Sequence, residues 1–479
     1  MGCGIITCSS RSKKSIARRL KNICLEPEIF LGVRNVPTVD NYEILEILGS
    51  GGFSEVALAI HNPTNQKRAL KIIRKSPLAV QQLNPEFMII EMKLLRTLDH
   101  PNVLKCFEIF EDKENYFLAL EYCEGGNLFQ KLGPNLRDET RIADIIYQIL
   151  SGIAYFHDKQ IVHRDIKPEN ILIESSETWN VKVADFGSAC YLDKNKIAEG
   201  VFGSPFYLAP EVLLGYYDEK VDIWSLGVVL YVMVTGLAPY SGKNVKEIVN
   251  QIIDCPLRIN AKTMPGQSLL MLDFARQLLE INPSRRISAK DALQHPWIKR
   301  NAKSKTQNTG IPINICSKPL KSKLAQGVFM YIVSCLLKSK DFCTLSNAFR
   351  EIDTNGNGKI EPHELENELK KLHPDDDAKK KTINFFKDFD YNNNNFIEFT
   401  EFIMACSDHQ CLFSNELIGG AFEKFDEDGD GIVDLNDIEK VIGPLELKED
   451  CNFEIKGRFD KKKTIDKKEF IDLIKSLAE

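Results

Sequence analysis

The chain has 479 residues, room for two to four domains at roughly 100–200 residues each. Hydrophobic residues make up 43% and charged residues 27%, which excludes a largely disordered, collagen-like or coiled-coil chain. The 62 Lys and Arg nearly balance 68 Asp and Glu, so the net charge of −6 gives no sign of nucleic-acid binding. That near-balance hides a split. Residues 341–479 hold 33 acidic and 19 basic side chains, a balance of −14, which leaves +8 for the rest. The 13 cysteines are odd in number and lack paired CxxC spacing, so a reduced cytoplasmic setting is expected instead of a disulfide framework. The longest apolar candidate, Gly327–Leu337, is too short to cross a bilayer.

In chain order, a basic arm comes first, with Arg11, Lys13, Lys14, Arg18, Arg19 and Lys21. It opens Met1-Gly2-Cys3, where Gly2 suits myristoylation and Cys3 palmitoylation, although Ile6 stands where Ser or Thr is usual. Two acyl chains, or one with the basic cluster, would hold the protein on the cytoplasmic face of a membrane. The alternative is a plain basic tail. Strand-like apolar runs begin at Tyr42, and helical periods dominate after Asn127.

Between the first two strand-like runs lies Leu48-Gly49-Ser50-Gly51-Gly52-Phe53-Ser54-Glu55-Val56. Such glycines let a backbone offer N–H groups to phosphate oxygens, although a hairpin turn would look similar. Ala69-Leu70-Lys71 follows on a strand and Glu91 on a helical segment. A Lys and Glu so placed can orient nucleotide phosphates, or can be a surface ion pair. Then come His163-Arg164-Asp165-Ile166-Lys167-Pro168-Glu169-Asn170, Asp185-Phe186-Gly187 and Ala209-Pro210-Glu211. Asp165 can accept a hydroxyl proton, Lys167 can offset moving phosphoryl charge, and Asn170 and Asp185 can hold a metal.

In this order the motifs resemble the protein-kinase catalytic domain over residues 42–298. The resemblance implies a bilobal fold, ATP with Mg²⁺, and protein Ser/Thr as acceptor. It makes Lys71, Glu91, Asp165 and Lys167 the catalytic set. It assigns nucleotide binding to Leu48–Phe53, Val56, Ala69, Lys71 and the hinge residues Glu121 and Cys123, with Asn170 and Asp185 on Mg²⁺. It also implies that Asp222 braces the catalytic loop and that Arg286 pairs with Glu211. Two departures stand out. Asn127 occupies a place where many relatives that select basic substrates carry Glu, so a preference for an upstream Arg is in doubt. The loop Ser188–Tyr207 has no threonine, and Glu199 is expected to hold Arg164 in place of a phosphate.

Residues 299–340 read as a junction. Leu324, Val328, Tyr331 and Cys335 form one apolar stripe, with Lys318, Lys321, Lys323, Lys338 and Lys340 around it, as in a calmodulin-type target or a plain docking helix.

Beyond residue 341, helix–loop–helix units restart at Asp353, Asp390, Asp426 and Asp460. The first loop runs to Glu364, with oxygens at Asp353, Asn355 and Asn357, a backbone carbonyl at Lys359, and Gly358 at the turn. The second offers Asp390, Asn392, Asn394, Phe396 and Glu401, with Asn395 at the turn. The third offers Asp428, Asp430, Ile432 and Asp437 after Asp426, and its last ligand is shorter than the usual Glu. The fourth is degenerate, with Lys461–Lys463 where a cation would sit, and is expected to pair with the third without binding.

Four such units resemble calmodulin. A kinase domain, a junction and an all-α calmodulin-like domain in one α+β chain resemble the calcium-dependent protein kinases of plants and protists. The resemblance implies an inhibitory junction that Ca²⁺ releases when Phe385, Phe386, Phe389, Phe402, Met404 and Phe422 open to capture it. Protein substrates, no nucleic acid and a monomer are expected. Two alternatives remain: a calcium-responsive scaffold with a dead kinase fold, and a kinase whose hands are static Mg²⁺-filled braces.

Overall fold

The structure is a computed structural model. It describes residues 41–50, 54–75, 85–132, 138–242, 245–254, 257–302, 319–320, 322–336, 339–371, 373–407, 413–426, 429–434, 437–438, 441 and 464–478. The basic arm with Gly2 and Cys3 lies outside these residues, as do Gly51, Gly52, Phe53 and Asp428.

Strands β1 (Tyr42–Ser50), β2 (Ser54–His61), β3 (Gln66–Arg74), β4 (Cys106–Glu111) and β5 (Asn115–Glu121) make one antiparallel sheet in the order β1-β2-β3-β5-β4. Leu70 and Ala119 pair across β3 and β5 and are fully buried. The neighbouring Lys71 therefore points to the other face of the sheet, by the two-residue period of a strand. Helix α1 (Pro85–Thr97) brings Glu91 to that face.

The second lobe is helical. Helix α2 (Leu128–Lys131) opens with Asn127, whose carboxamide accepts from Gln130 N while Gln130 Oε1 accepts from Asn127 N. Helix α3 (Glu139–Asp158) starts at Asp138, which accepts from Thr140 N and Arg141 N. Its middle is buried all round from Ile145 to Phe156, with Gln148 and Ser151 hydrogen-bonded among the apolar side chains, as suits a central helix. Short strands β6 (Ile161–Val162), β7 (Ile171–Ile173), β8 (Val181–Val183), β9 (Cys190–Tyr191), β10 (Ala198–Glu199) and β11 (Tyr216–Tyr217) frame the loops of the cleft. Helices α4 (Lys220–Thr235), α5 (Val245–Asp254), α6 (Leu269–Leu278), α7 (Ala289–Leu293) and α8 (Pro296–Asn301) complete this lobe. Trp224 and Trp297 are buried in its core.

The junction forms helix α9 (Lys323–Tyr331), capped by Ser322, and continues as a π-helical segment, Ile332–Leu336. One apolar stripe was the sequence expectation. Instead every side chain from Leu324 to Cys335 is buried, Gln326 and Ser334 included. The reason is that the helix is enclosed. It shares one core with α13 (Phe399–Cys406), α14 (Asn415–Phe425) and α15 (Lys467–Ala478), and its π segment also lies against β4. This region also contains α10 (Ser339–Ile352), α11 (Pro362–Lys370) and α12 (Asp375–Phe389). Among the described residues, no helix is long and apolar enough to cross a membrane.

Candidate active site and calcium loops

Lys71 Nζ donates to Glu91 Oε1 at 2.6 Å and to Asp185 Oδ1 at 3.2 Å. Burial opposes the lysine charge, but the two carboxylates outweigh it and hold its pKa above the usual value. The same ammonium, working against burial, keeps Asp185 below the ordinary carboxylate range. Asp185 takes a left-handed backbone (φ 65°), and its side chain is about half exposed, free to meet a cation. Phe186 anchors the turn: it is buried, with its ring 4.8 Å from His163 and 5.8 Å from Phe156.

The catalytic loop is tightly wired. Asp165 Oδ1 accepts from Ser204 N at 2.9 Å and from Ser204 Oγ at 2.8 Å. Lys167 Nζ donates to Asp165 Oδ2 at 2.7 Å and to Ser204 Oγ at 2.8 Å. Asn170 Nδ2 donates to the carbonyl and the carboxylate of Asp165, which leaves its amide oxygen to face a metal. Beneath the loop, fully buried Asp222 accepts from His163 N and Arg164 N, each at 2.9 Å, and lies 2.8 Å from His157 Nε2. Burial alone would raise the Asp222 pKa, but these partners lower it. Arg286 clamps Glu211 with two bonds, 2.5 and 3.0 Å. The hinge residue Cys123 is buried, while Glu121 meets Lys182 at 3.0 Å and gives its amide to Lys105 O. Val56 and Ala69 lie on β2 and β3, and Leu48, Gly49 and Ser50 on β1.

One expectation changes. Arg164 does not rest on the Glu199 carboxylate. It donates to the backbone carbonyls of Ser188 (2.5 Å) and Glu199 (3.2 Å), and its guanidinium lies 4.1 Å from the Phe202 ring centroid. Glu199 pairs through its backbone with Tyr216 in a β10–β11 ladder, and its side chain is exposed. Asn127 is likewise taken up by its capping role.

The calcium loops repeat one internal pattern. In the first, Gly358 N donates to Asp353 Oδ2 at 2.7 Å, Asn357 N to Asp353 Oδ1, and Lys359 N to Asn357 Oδ1. Glu364 accepts from Thr354 N and Glu361 N, closing the loop. The second repeats this with Asn395 N and Asn394 N on Asp390, Phe396 N on Asn394, and Tyr391 N on Glu401. Asn395 sits at φ 64°, the conformation Gly358 takes at 77°. In the third, Gly431 N and Asp430 N bind Asp426, and Asp434 N binds Asp437. No described group of three or more His, Cys, Asp or Glu converges. The first two loops rely instead on amides and carbonyls beside an aspartate at the start and a glutamate at the end, and the third on Asp426, Asp430 and Asp437, donor sets of hard oxygens that fit Ca²⁺. Burial and then Glu364 push the Asp353 pKa up to about 8, and burial followed by Glu398 and Asp390 raises Glu401. Such anionic pairs favour a dication.

The loops are paired. Ile360 and Ile397 exchange bonds of 2.9 and 3.0 Å, and β12 (Ile432–Asp434) pairs antiparallel with β13 (Thr464–Asp466). The degenerate fourth unit thus supplies a strand to the third. Phe385, Phe389, Phe402, Met404 and Phe422 are buried, and Phe386 packs against the same core.

Reading the sequence missed Arg68. It is fully buried, donates to Tyr42 Oη at 2.8 Å and to the junction carbonyl of Cys335 at 2.6 Å, and lies 4.6 Å from the Phe107 ring. A cation beside Ala69 and Leu70 on an apolar strand was the available signal.

A kinase fold with this cleft, carrying paired calcium hands, defines a protein kinase with a built-in calcium-binding region. Comparison agrees: the protein kinase domain family matches residues 42–298 and the EF-hand domain pair matches 342–407. The chain is 34% identical to calcium-dependent protein kinase 4 of Plasmodium falciparum, over 98% of this chain and 92% of the relative. It is 33% identical to calcium-dependent protein kinase 5 of the same organism, over 85% and 71% of the two chains. Identity to calcium-dependent protein kinase 9 of Arabidopsis thaliana is 30%, over 86% and 76%. The chain belongs to the calcium-dependent protein kinases.

Proposed function

We infer that the protein is a calcium-activated serine/threonine kinase that moves the ATP γ-phosphate to protein hydroxyls, with ATP, Mg²⁺ and Ca²⁺ as cofactors. One observation carries the reading: the Lys71–Glu91 pair is formed while the junction lies enclosed by α13–α15 and tied to Arg68. Bound Mg²⁺ supplies charge compensation on the phosphates, with Asn170 and Asp185 to hold it. Lys71 orients the phosphates. Asp165 receives or orients the acceptor proton, and Lys167 offsets charge on the transferred group.

The junction is also the switch. With little calcium it blocks the substrate groove; with calcium the hands open and take it up. Ca²⁺ shifts this balance only through tighter binding to the open form. Gly2 and Cys3, once acylated, add a peripheral membrane contact. The test is phosphate transfer to a generic basic peptide, with calcium or chelator. Calcium-dependent transfer supports the reading. No transfer favours a scaffold, and equal transfer favours static braces.

A further inference from the structure

The first calcium loop does not hang in solvent. Its turn half is seated on one stripe of α3. Tyr147, Ser151, Tyr155 and Asp158 are spaced by four, four and three residues, so they share one face of the helix. Ser151 Oγ donates to the carbonyl of Gly356 at 3.3 Å. Gly358, at the sharp turn, is so close that an added Cβ would stand 2.4 Å from His100 Cδ2 and 2.7 Å from Tyr155 Cδ2. Asp158 Oδ2 meets Lys359 Nζ at 3.5 Å. Tyr147 continues the same face one turn earlier and is buried. Just before the loop, Arg350 donates to Asn102 Oδ1 (3.2 Å) and Pro101 O (3.3 Å).

The sister loops are placed differently. Their turn residues, Asn395 and Gly431, are exposed, whereas Gly358 is buried. The second loop meets the kinase domain at its exit, where Thr400 N donates to Asp99 Oδ2. The kinase contacts on the first loop fall on positions four, six and seven. The Gly358 amide holds the Asp353 carboxylate, and position seven lends its carbonyl to the ion.

We propose that the first calcium site is a composite of the loop Asp353–Glu364 and this stripe of α3, so that seating on the kinase domain tightens its hold on Ca²⁺. The proposal rests on reading that loop as a calcium site. Outer partners that fix a ligand's orientation typically change metal affinity 10–100-fold. By reciprocity, Ca²⁺ at this loop stabilises the seated form by the same factor. The helix that receives the loop leads, through β6, into His163–Asp165.

The experiment uses the full chain with Asp390→Ala and Asp426→Ala, which leaves the first loop to report alone. Calcium affinity is measured by calorimetry with and without Ser151→Ala plus Asp158→Asn, and with Glu43→Gln on β1 as a charge control. Ca²⁺ is expected to bind about 10-fold more weakly in the α3 variant and within about two-fold of the parent in the control. Hydrogen exchange at the α3 amides should slow with calcium in the parent and less so in the variant. Equal affinity in parent and variant overturns the composite site while leaving the calcium reading intact. No calcium binding by the parent overturns both. Melting in chelator checks that the variant folds, and Asp158→Asn alone, at a partly exposed position, provides a second route to the same comparison.

Discussion

At the residue scale, the site depends on a few charges held in one arrangement. Asp165→Asn should lower kcat by roughly 10²–10⁴ while leaving the melting temperature nearly unchanged, because it alters a group of the cleft and not of the core. Lys71→Met should lower kcat as far and also lower the melting temperature, because it leaves the buried Glu91 carboxylate without its cation. Steady-state kinetics beside a thermal melt checks this. Arg164 yields a sharper expectation. Its partners are carbonyls and the Phe202 ring, so Glu199→Gln should leave activity near the parent value and Phe202→Ala should lower it. Phosphatase treatment should also leave activity intact. His61 offers a pH signature. Burial and then the Arg68 charge lower its pKa to about 4, against about 6.5 unfolded. The unfolded state therefore binds the extra proton first. The stability that a neutral His61 contributes is complete above pH 6.5 and is lost as pH falls toward 4. Urea melts at pH 7 and pH 5 should show His61→Asn losing about 1–2 kcal/mol less than the parent.

At the element scale, legibility differs sharply between parts. Phosphoryl transfer and calcium ligation prescribe residue types at fixed spacing, so Lys71, Asp165, Asp185 and the loop Asp353–Glu364 could be read directly. The docking of the junction could not. Arg68 and Cys335 are 267 residues apart, and a contact of that range leaves no local pattern. The amphipathic stripe was legible, but its second and third faces were not, because what covers them comes from α13–α15 and β4. Arg68 also predicts an effect. Arg68→Met leaves Tyr42, Glu108 and the Cys335 carbonyl without their buried cation. The cost should be about 3 kcal/mol, with calcium-stimulated activity falling more than ATP binding. Denaturation and nucleotide titration on the same variant separate the two.

At the scale of the whole molecule, the charge split acquires a location. The acidic surplus belongs to the hands, and the first of them meets the kinase domain through Lys359, Arg350 and their partners. The junction shares its core with the sensor helices, so a chain ending after Arg300 loses both the proposed block and the contact at β4. If release of the block dominates, the truncated chain phosphorylates peptide equally with calcium and chelator. An inert truncation means that the junction and hands support the first lobe.

The π segment Ile332–Leu336 sets a phase. A π turn holds one residue more than an α turn, and each helical residue turns the chain by roughly 100°. That surplus residue re-aims the Cys335 side chain toward β4, where its thiol meets the Phe107 carbonyl at 3.4 Å, while its own carbonyl, in the last turn, accepts from Arg68. The segment therefore works like a vernier between two partners. Removing one residue, such as the buried Ser334, would restore α winding, keep the upstream half in its groove, and leave the downstream half out of step with β4.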